Sequence, residues 1–183
     1  MLNMGKDSGM SLVEVLIAIA IAGILLATAM PMYSTWIQNT KIRTGAEAML
    51  NGLQLARSEA VSRNTNVQFE MTGNTGWKVN LASDPDGTPI QARSANAGSD
   101  TATATPFPAN ATVVTFDSLG RRRTTNVNGA TPPIDRIDID TSISSFTDAR
   151  KLRVTINDGG QIRMCDPNSS IPAGDSRYCS PTP

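Results

Sequence analysis

Hydrophobic and polar positions divide this chain into three regimes. From Leu12 to Met30 the residues are apolar almost without interruption, and Glu14 is the only charge among them. The apolar positions then become periodic: Ile42, Ala46, Met49, Leu53, Ala56 and Ala60 recur at intervals of three and four, which is one stripe of a helix. The opposite face carries Glu47, Asn51, Gln54, Ser58 and Ser62, and Glu59 is spaced to pair with Arg63 one turn on. Asn64-Thr65-Asn66 ends the pattern, so the helix is expected to run to about residue 64. Beyond residue 66 the period drops to that of strands. Val67–Met71 and Trp77–Leu81 alternate around the turn signal Gly73-Asn74-Thr75-Gly76, which predicts a β-hairpin. Val113–Phe116, Ile134–Ile139, Leu152–Ile156 and Gln161–Met164 supply further strands, the last two joined by Asn157-Asp158-Gly159-Gly160. Residues 82–110 hold four prolines and few large apolar side chains, so they are expected to form a long surface loop. The expected fold class is α+β: one long N-terminal helix packed on a C-terminal antiparallel β-sheet head.

The apolar run has the length of a membrane span. A helix from Met10 to Met30 would measure about 31 Å, and a bilayer's hydrocarbon core is about 30 Å thick. A secretory signal peptide is the competing reading, because Lys6 supplies a positive flank and Ala27-Thr28-Ala29 resembles a small-residue cleavage site. The run is longer than such a core and contains a carboxylate, which favours the span. A charged side chain costs about 2.5 to 3.5 kcal/mol at the centre of a membrane helix and less near its end, so Glu14 calls for a partner. Pro31 follows the run directly. A proline inside a helix removes one backbone hydrogen bond and crowds the carbonyl four residues back, so a kink is expected near residues 27–31. The stripe beyond it favours a helix that continues, with a plain stop at the membrane edge as the alternative.

Composition removes several function classes. The chain has 183 residues, one ordinary domain plus an appendage, with 16 basic and 16 acidic side chains, so no global attraction to nucleic acid or anionic lipid is expected. It contains no histidine, which excludes Ser/His/Asp and Cys/His nucleophile arrangements and the commonest zinc ligand, so an enzyme is not expected. Its two cysteines, Cys165 and Cys179, cannot make a four-cysteine zinc site. They lie in a segment rich in Pro, Ser and Gly, and read as a disulfide in an oxidising compartment. Asp135, Asp138 and Asp140 lack the ordered loop of a calcium site and fit a strand's solvent face, so no metal and no cofactor is expected.

Gly9-Met10-Ser11-Leu12-Val13-Glu14, followed by the apolar run, resembles the class III signal of type IV prepilins and pseudopilins. The resemblance implies cleavage between Gly9 and Met10 by a prepilin peptidase on the cytoplasmic face, and methylation of the new amine. Met10 stands where the family usually has phenylalanine. After cleavage the Met10 amine is a cation at the membrane boundary, and Glu14 an anion four residues along. In a helical stack the amine of one subunit can meet Glu14 of a neighbour, offsetting the burial cost and fixing axial register. Before assembly, Glu14 could instead snorkel or pair with its own amine. Pro31 matches a proline that recurs at this distance from the cleavage site in type IV pilins. Ala56-Arg57-Ser58-Glu59-Ala60-Val61 resembles a segment of the FimT/FimU and GspH group of minor pilins and pseudopilins. Arg57 and Glu59 themselves read as solvated helix charges. Gly160 to Pro167, together with Cys179, resembles the cysteine-bearing ends of FimT/FimU-like minor pilins, scarce components at or near the pilus tip.

The organisation expected is a leader at 1–9, a transmembrane helix at 10–31, an amphipathic helix at 32–66 continuing into the head, and the head at 67–183. The resemblance places the chain in the inner membrane as a single-pass protein with a periplasmic head, and then in the filament. It implies as partners other minor and major pilins, the prepilin peptidase and the inner-membrane assembly platform. A minor pilin that primes a filament or joins it near the tip is favoured over a GspH-like pseudopilin of type II secretion. A signal-anchored binding protein and a secreted hydrolase explain less. Some FimT-like relatives in DNA uptake carry Gly-Arg-x-Arg near the C-terminus; here Gly160-Gln161-Ile162-Arg163 retains only Arg163. Gly120-Arg121-Arg122-Arg123 spells the pattern well upstream, but residues 117–177 hold nine basic and eight acidic side chains. No binding beyond weak phosphate contact by Arg121, Arg122, Arg123 and Arg163 is therefore expected.

Overall fold

The computed structural model describes residues 10–179 apart from 96, 128, 130, 147 and 148, and only the backbone of residues 29 and 31. The first element, α1, spans Leu12–Ser62. The backbone remains helical through Pro31, so the helix continues instead of stopping there. The chain divides between Trp36 and Ile37, a little beyond residue 31 where the membrane segment is expected to end. In the first unit Leu12, Val13, Leu16, Ile17, Ile24 and Leu26 all stand exposed. A helix that is apolar on every side needs an apolar surrounding, and no part of the window of mean hydropathy 2.6 is buried inside the protein itself.

The second unit is built on the other half of α1. Ile42, Ala46, Met49, Leu53, Ala56 and Ala60 are all 0 % exposed, so every position of the predicted stripe faces the core. Burying side chains the size of Ile42, Met49 and Leu53 stabilises the head by roughly 1.5 to 3 kcal/mol each. Gly52 lets the helix approach the sheet: a Cβ there would lie 2.7 Å from both the Phe69 and the Trp77 ring. The helix closes with Asn64 at φ 50°. The Asn64 N–H donates to the Val61 carbonyl and the Thr65 N–H to the Ala60 carbonyl, the paired bonds of a left-handed C-terminal cap. Helix thus ends at Ser62, two residues before the expected end, because the cap itself occupies residues 63–65.

Among the described residues eight strands follow, in two antiparallel sheets. β1 (Val67–Gly73), β2 (Gly76–Leu81), β3 (Gln91–Arg93) and β5 (Val113–Phe116) form one, in the order β3-β2-β1-β5. β4 (Ala102–Phe107), β6 (Arg136–Thr141), β7 (Leu152–Ile156) and β8 (Ile162–Cys165) form the other, in the order β4-β6-β7-β8. The hairpin β1-β2 has the predicted partners, with Phe69 opposite Val79 and Met71 opposite Trp77. Inward residues of both sheets, among them Phe69, Phe116, Ile137, Ile139 and Val154, join the helix stripe in one core.

The long loop expected at residues 82–110 is corrected by β3 and β4. β4 gives little apolar signal because its inward positions include alanines, and Ala102 is buried where Gly45 of the helix approaches it. A Cβ on Gly45 would lie 3.3 Å from that of Ala102 and 2.9 Å from Thr75 Cγ2, so larger residues would not fit. Threonine alternates with alanine there, and the strand is carried by pairing to β6 over Ala102–Phe107.

Candidate functional site

Met10 and Glu14, the residues expected to act in processing and assembly, lie at the N-terminal end of α1. Ser11 precedes the helix, and its Oγ accepts the backbone N–H of Glu14 at 3.3 Å. This is half of the Ser-x-x-Glu capping arrangement, in which a serine satisfies one of the free N–H groups of the first turn. Ser11 was missed as a functional residue, although its spacing to Glu14 is the signature that could have found it. The Glu14 side chain, in the first turn, is exposed and its charge is favourably sited at a helix N-terminus. Met10 is 72 % exposed. Gly9 lies outside the described residues, and of Pro31 only the backbone, which is helical, is described.

The arginines considered for phosphate contact are already engaged, with one exception. Arg122 donates to both Asp135 and Asp158 and is largely buried between them. Arg121 pairs with Asp117 at 3.2 Å. Burial pushes the Asp117 carboxyl up, but the Arg121 and Leu119 backbone N–H groups and the Arg121 guanidinium outweigh it and hold it below its ordinary value. Arg163 donates to the Ser176 carbonyl, tying β8 to the C-terminal loop. Among the described residues Arg123 alone of the three in the run is exposed without an acidic partner. The basic run is therefore a turn stapled by Asp117 from within and by Asp135 and Asp158 from neighbouring segments.

Arg57 is exposed, as a solvated helix charge would be, and it also finds a partner in this region. Its Nε donates to the Gly120 carbonyl at 3.0 Å, which ties the 117–123 turn to the helix. Glu59 does pair with Arg63, at 2.6 Å.

The three aspartates of the 135–140 segment each have a cationic partner: Asp135 has Arg122, Asp138 has Arg153 and Arg136, and Asp140 has Lys151 at 2.7 Å. Arg136 also lies over the Phe107 ring, 4.1 Å from its centre, across the β4-β6 pair. The aspartate carboxylates are thus held in salt bridges, Asp138 to Arg153 across the β6-β7 pair, and among the described residues no acidic group gathers with others as a metal site.

Cys165 and Cys179 are joined, with Cα atoms 5.2 Å apart. The Asp166 N–H donates to the Arg177 carbonyl beside the bridge, and Asp166, buried, accepts from Arg150 at 2.7 Å. The enclosed loop borders a groove of about 970 Å³ over β6 and β7. Its charged walls include Asp138, Asp140, Arg150, Lys151, Arg153 and Asp166, side chains that pair with one another, and the sequence offers no histidine to activate a nucleophile among them.

The chain matches the family model described as type II transport protein GspH over residues 45–160, well over half its length. Residues 4–30 match the prokaryotic N-terminal methylation motif. The minor pseudopilin EpsH of the Vibrio cholerae type 2 secretion system has the same fold, with TM-score 0.51 and 14 % identity over 70 % of this chain and 99 % of that one. The type IV minor pilin FimU of Pseudomonas aeruginosa is 25 % identical over 72 % of this chain and 92 % of its own, with TM-score 0.47. GspH of Escherichia coli is 14 % identical over 74 % of this chain and 95 % of its own, with TM-score 0.46. No curated protein matches the sequence significantly. A methylation motif that opens an uncovered apolar helix, joined to a head matched by this structural, non-enzymatic family, completes the assignment: the chain belongs to the GspH family of minor pilins and pseudopilins.

Proposed function

We propose that the chain is a minor pilin of the type IV pilus. Its precursor is cut after Gly9 by a prepilin peptidase, the Met10 amine is methylated, and residues 10–31 cross the inner membrane once, with the helix continuing through residues 32–66 into a periplasmic head. The assembly platform then passes the subunit into a filament of minor and major pilins, where it primes growth or sits near the tip. The observation that carries this reading is that the exposed apolar half and the core-facing stripe belong to one helix, opened by Ser11 and Glu14. Such a segment is stable only in lipid or among like helices, and Glu14 is stable there only beside a cation. The amine of a neighbouring Met10 supplies that cation and fixes the stagger. N-terminal sequencing of the mature protein tests this directly: a methylated Met10 is the expected start, and a start at Met30 overturns it.

A pseudopilin of type II secretion is the second reading, favoured by the description of the matched family model. The disulfide-closed C-terminus supports the pilus instead. Deletion of the gene with separate assays of twitching and protein secretion decides between them: lost twitching is expected, and lost secretion with intact pili identifies a pseudopilin.

A further inference from the structure

We propose that Tyr33 and Trp36 form an interfacial anchor that fixes the depth of α1 in the bilayer, with the boundary between lipid headgroups and acyl chains as their partner. The two rings stack within one helical turn, centroids 5.8 Å apart and planes 27° from parallel. Both are well exposed, at 63 % and 61 %, whereas Trp77, Phe69 and Phe116 are buried in the core. An unburied aromatic pair of this size on a chain with eight aromatic residues is out of place in water.

Its position along the helix matches a membrane edge. From Leu12 the helix rises about 32 Å to Tyr33 and about 36 Å to Trp36, against a hydrocarbon core of about 30 Å. The chain passes within three turns from apolar residues, through the aromatic pair, to Gln38, Asn39 and Thr40, and then to Lys41, the first charge after Glu14. Tyr and Trp carry an apolar body with one polar group, the chemistry that favours this boundary over either the acyl core or water. The nearest cations do not serve as the anchor, because Lys41 is paired with Asp100 at 2.8 Å and Arg43 with Glu47 at 2.8 Å. The rings are left as the groups that resist sliding of the helix along the membrane normal.

The inference rests on the membrane-spanning reading above, and one experiment separates the two. The full-length protein and its Trp36→Phe variant are placed in vesicles of phosphatidylethanolamine and phosphatidylglycerol, brominated either near the headgroup end of the acyl chains or at mid-chain. The fluorescence difference between the proteins reports Trp36 alone, because Trp77 is common to both. Quenching about twofold stronger with the shallow bromines is expected. Equal or stronger quenching at mid-chain, or no quenching by either lipid while the protein floats with the vesicles, overturns the anchor and leaves the span intact. Failure of the protein to float with vesicles overturns the span and the anchor together.

Discussion

The Arg57 guanidinium reaches across the helix–sheet junction to the Gly120 carbonyl, 3.0 Å away. A third residue completes the junction: a Cβ built on Gly160 would lie 1.9 Å from the same Gly120 oxygen, and Gly160 sits at φ +77°. Two turns distant in sequence, 117–123 and 157–160, thus meet edge to edge, with Arg122 bridging them through Asp158. Gly160→Ala should destabilise the soluble head by about 2 kcal/mol or more, since both the backbone conformation and the contact forbid a side chain. Gly174→Ala, with nothing within reach of its Cβ, should change stability by less than about 0.5 kcal/mol. Arg57→Ala should cost about 1 to 2 kcal/mol through the lost charge-assisted bond. Denaturant titration of the three variants checks the ranking; equal stability of Gly160→Ala and Gly174→Ala contradicts it.

Glu14 and Ser11 separate two roles that the same turn combines. Glu14→Leu should insert and be processed normally, because apolar residues enter the bilayer more readily, yet enter filaments poorly for want of the charge partner. Ser11→Ala removes only the cap seen at 3.3 Å. It should cost about 1 kcal/mol of helix stability at most and leave incorporation largely intact. Immunoblots of sheared filaments beside membrane fractions read both outcomes, and normal assembly of Glu14→Leu with wild-type partner pilins contradicts the register argument.

Much of this arrangement was legible in the chain, and the misses share a cause. The helix stripe needs only local period, and all six positions from Ile42 to Ala60 proved fully buried. The β1-β2 hairpin likewise follows from alternation around Asn74, which takes the φ of 42° that its turn requires. Residues that act across long separations gave no such signal. Arg57 is exposed as expected, but periodicity tells only which face a residue occupies, not that its guanidinium meets a turn 63 positions later. β4 escaped notice because close approach at Gly45 demands small side chains, which erase the hydrophobic pattern that marks a strand. The acids that occupy Arg122 come from two separate segments, the lead into β6 and the 157–160 turn, so spacing could not reveal them.

The disulfide encloses a loop that carries much of the C-terminal surface. In the chain-entropy picture, closing about fifteen residues is worth roughly 3 kcal/mol. Cys165→Ser with Cys179→Ser should therefore lower head stability by a few kcal/mol at most and loosen residues 166–178 before the helix–sheet core. Hydrogen exchange should show faster exchange at the Asp166 N–H, which is bonded to the Arg177 carbonyl. Unchanged protection there would show that the loop is held without the bridge.

Within that loop Asp175 offers a pH test. Hydrogen bonds from the Arg177 side chain and then its backbone N–H lower the carboxyl from 3.8 to about 2. A depressed carboxylate favours the folded state above its unfolded pKa, and that contribution is lost as pH falls toward the folded value. Loop order should accordingly hold above pH of about 4 and weaken as pH approaches about 2. Carboxyl NMR titration should place the Asp175 midpoint near 2. Arg177→Ala should return it toward the ordinary range, and a midpoint unmoved by that substitution removes Arg177 as the cause.

DNA binding by the head is expected to be weak, and the reason lies in pairing rather than in net charge alone. Of the basic side chains at residues 121–123, Arg122 is held by Asp135 and Asp158 and Arg121 by Asp117, leaving Arg123 as the exposed cation without an acidic partner among the described residues. Arg163, farther along, is committed to the Ser176 carbonyl. A phosphate contact by Arg121 or Arg122 would require breaking an existing ion pair, and the displaced aspartate would then repel the phosphate. Duplex DNA should bind the soluble head with a Kd of about 10 μM or weaker at physiological salt. Arg123→Ala should reduce the salt dependence of that binding by about one counterion, while Arg122→Ala should show first as lost stability. Fluorescence titration across a salt series measures both, and clearly submicromolar binding at physiological salt, abolished by alanine at Arg121, Arg122 and Arg123, would identify a DNA-uptake pilin instead.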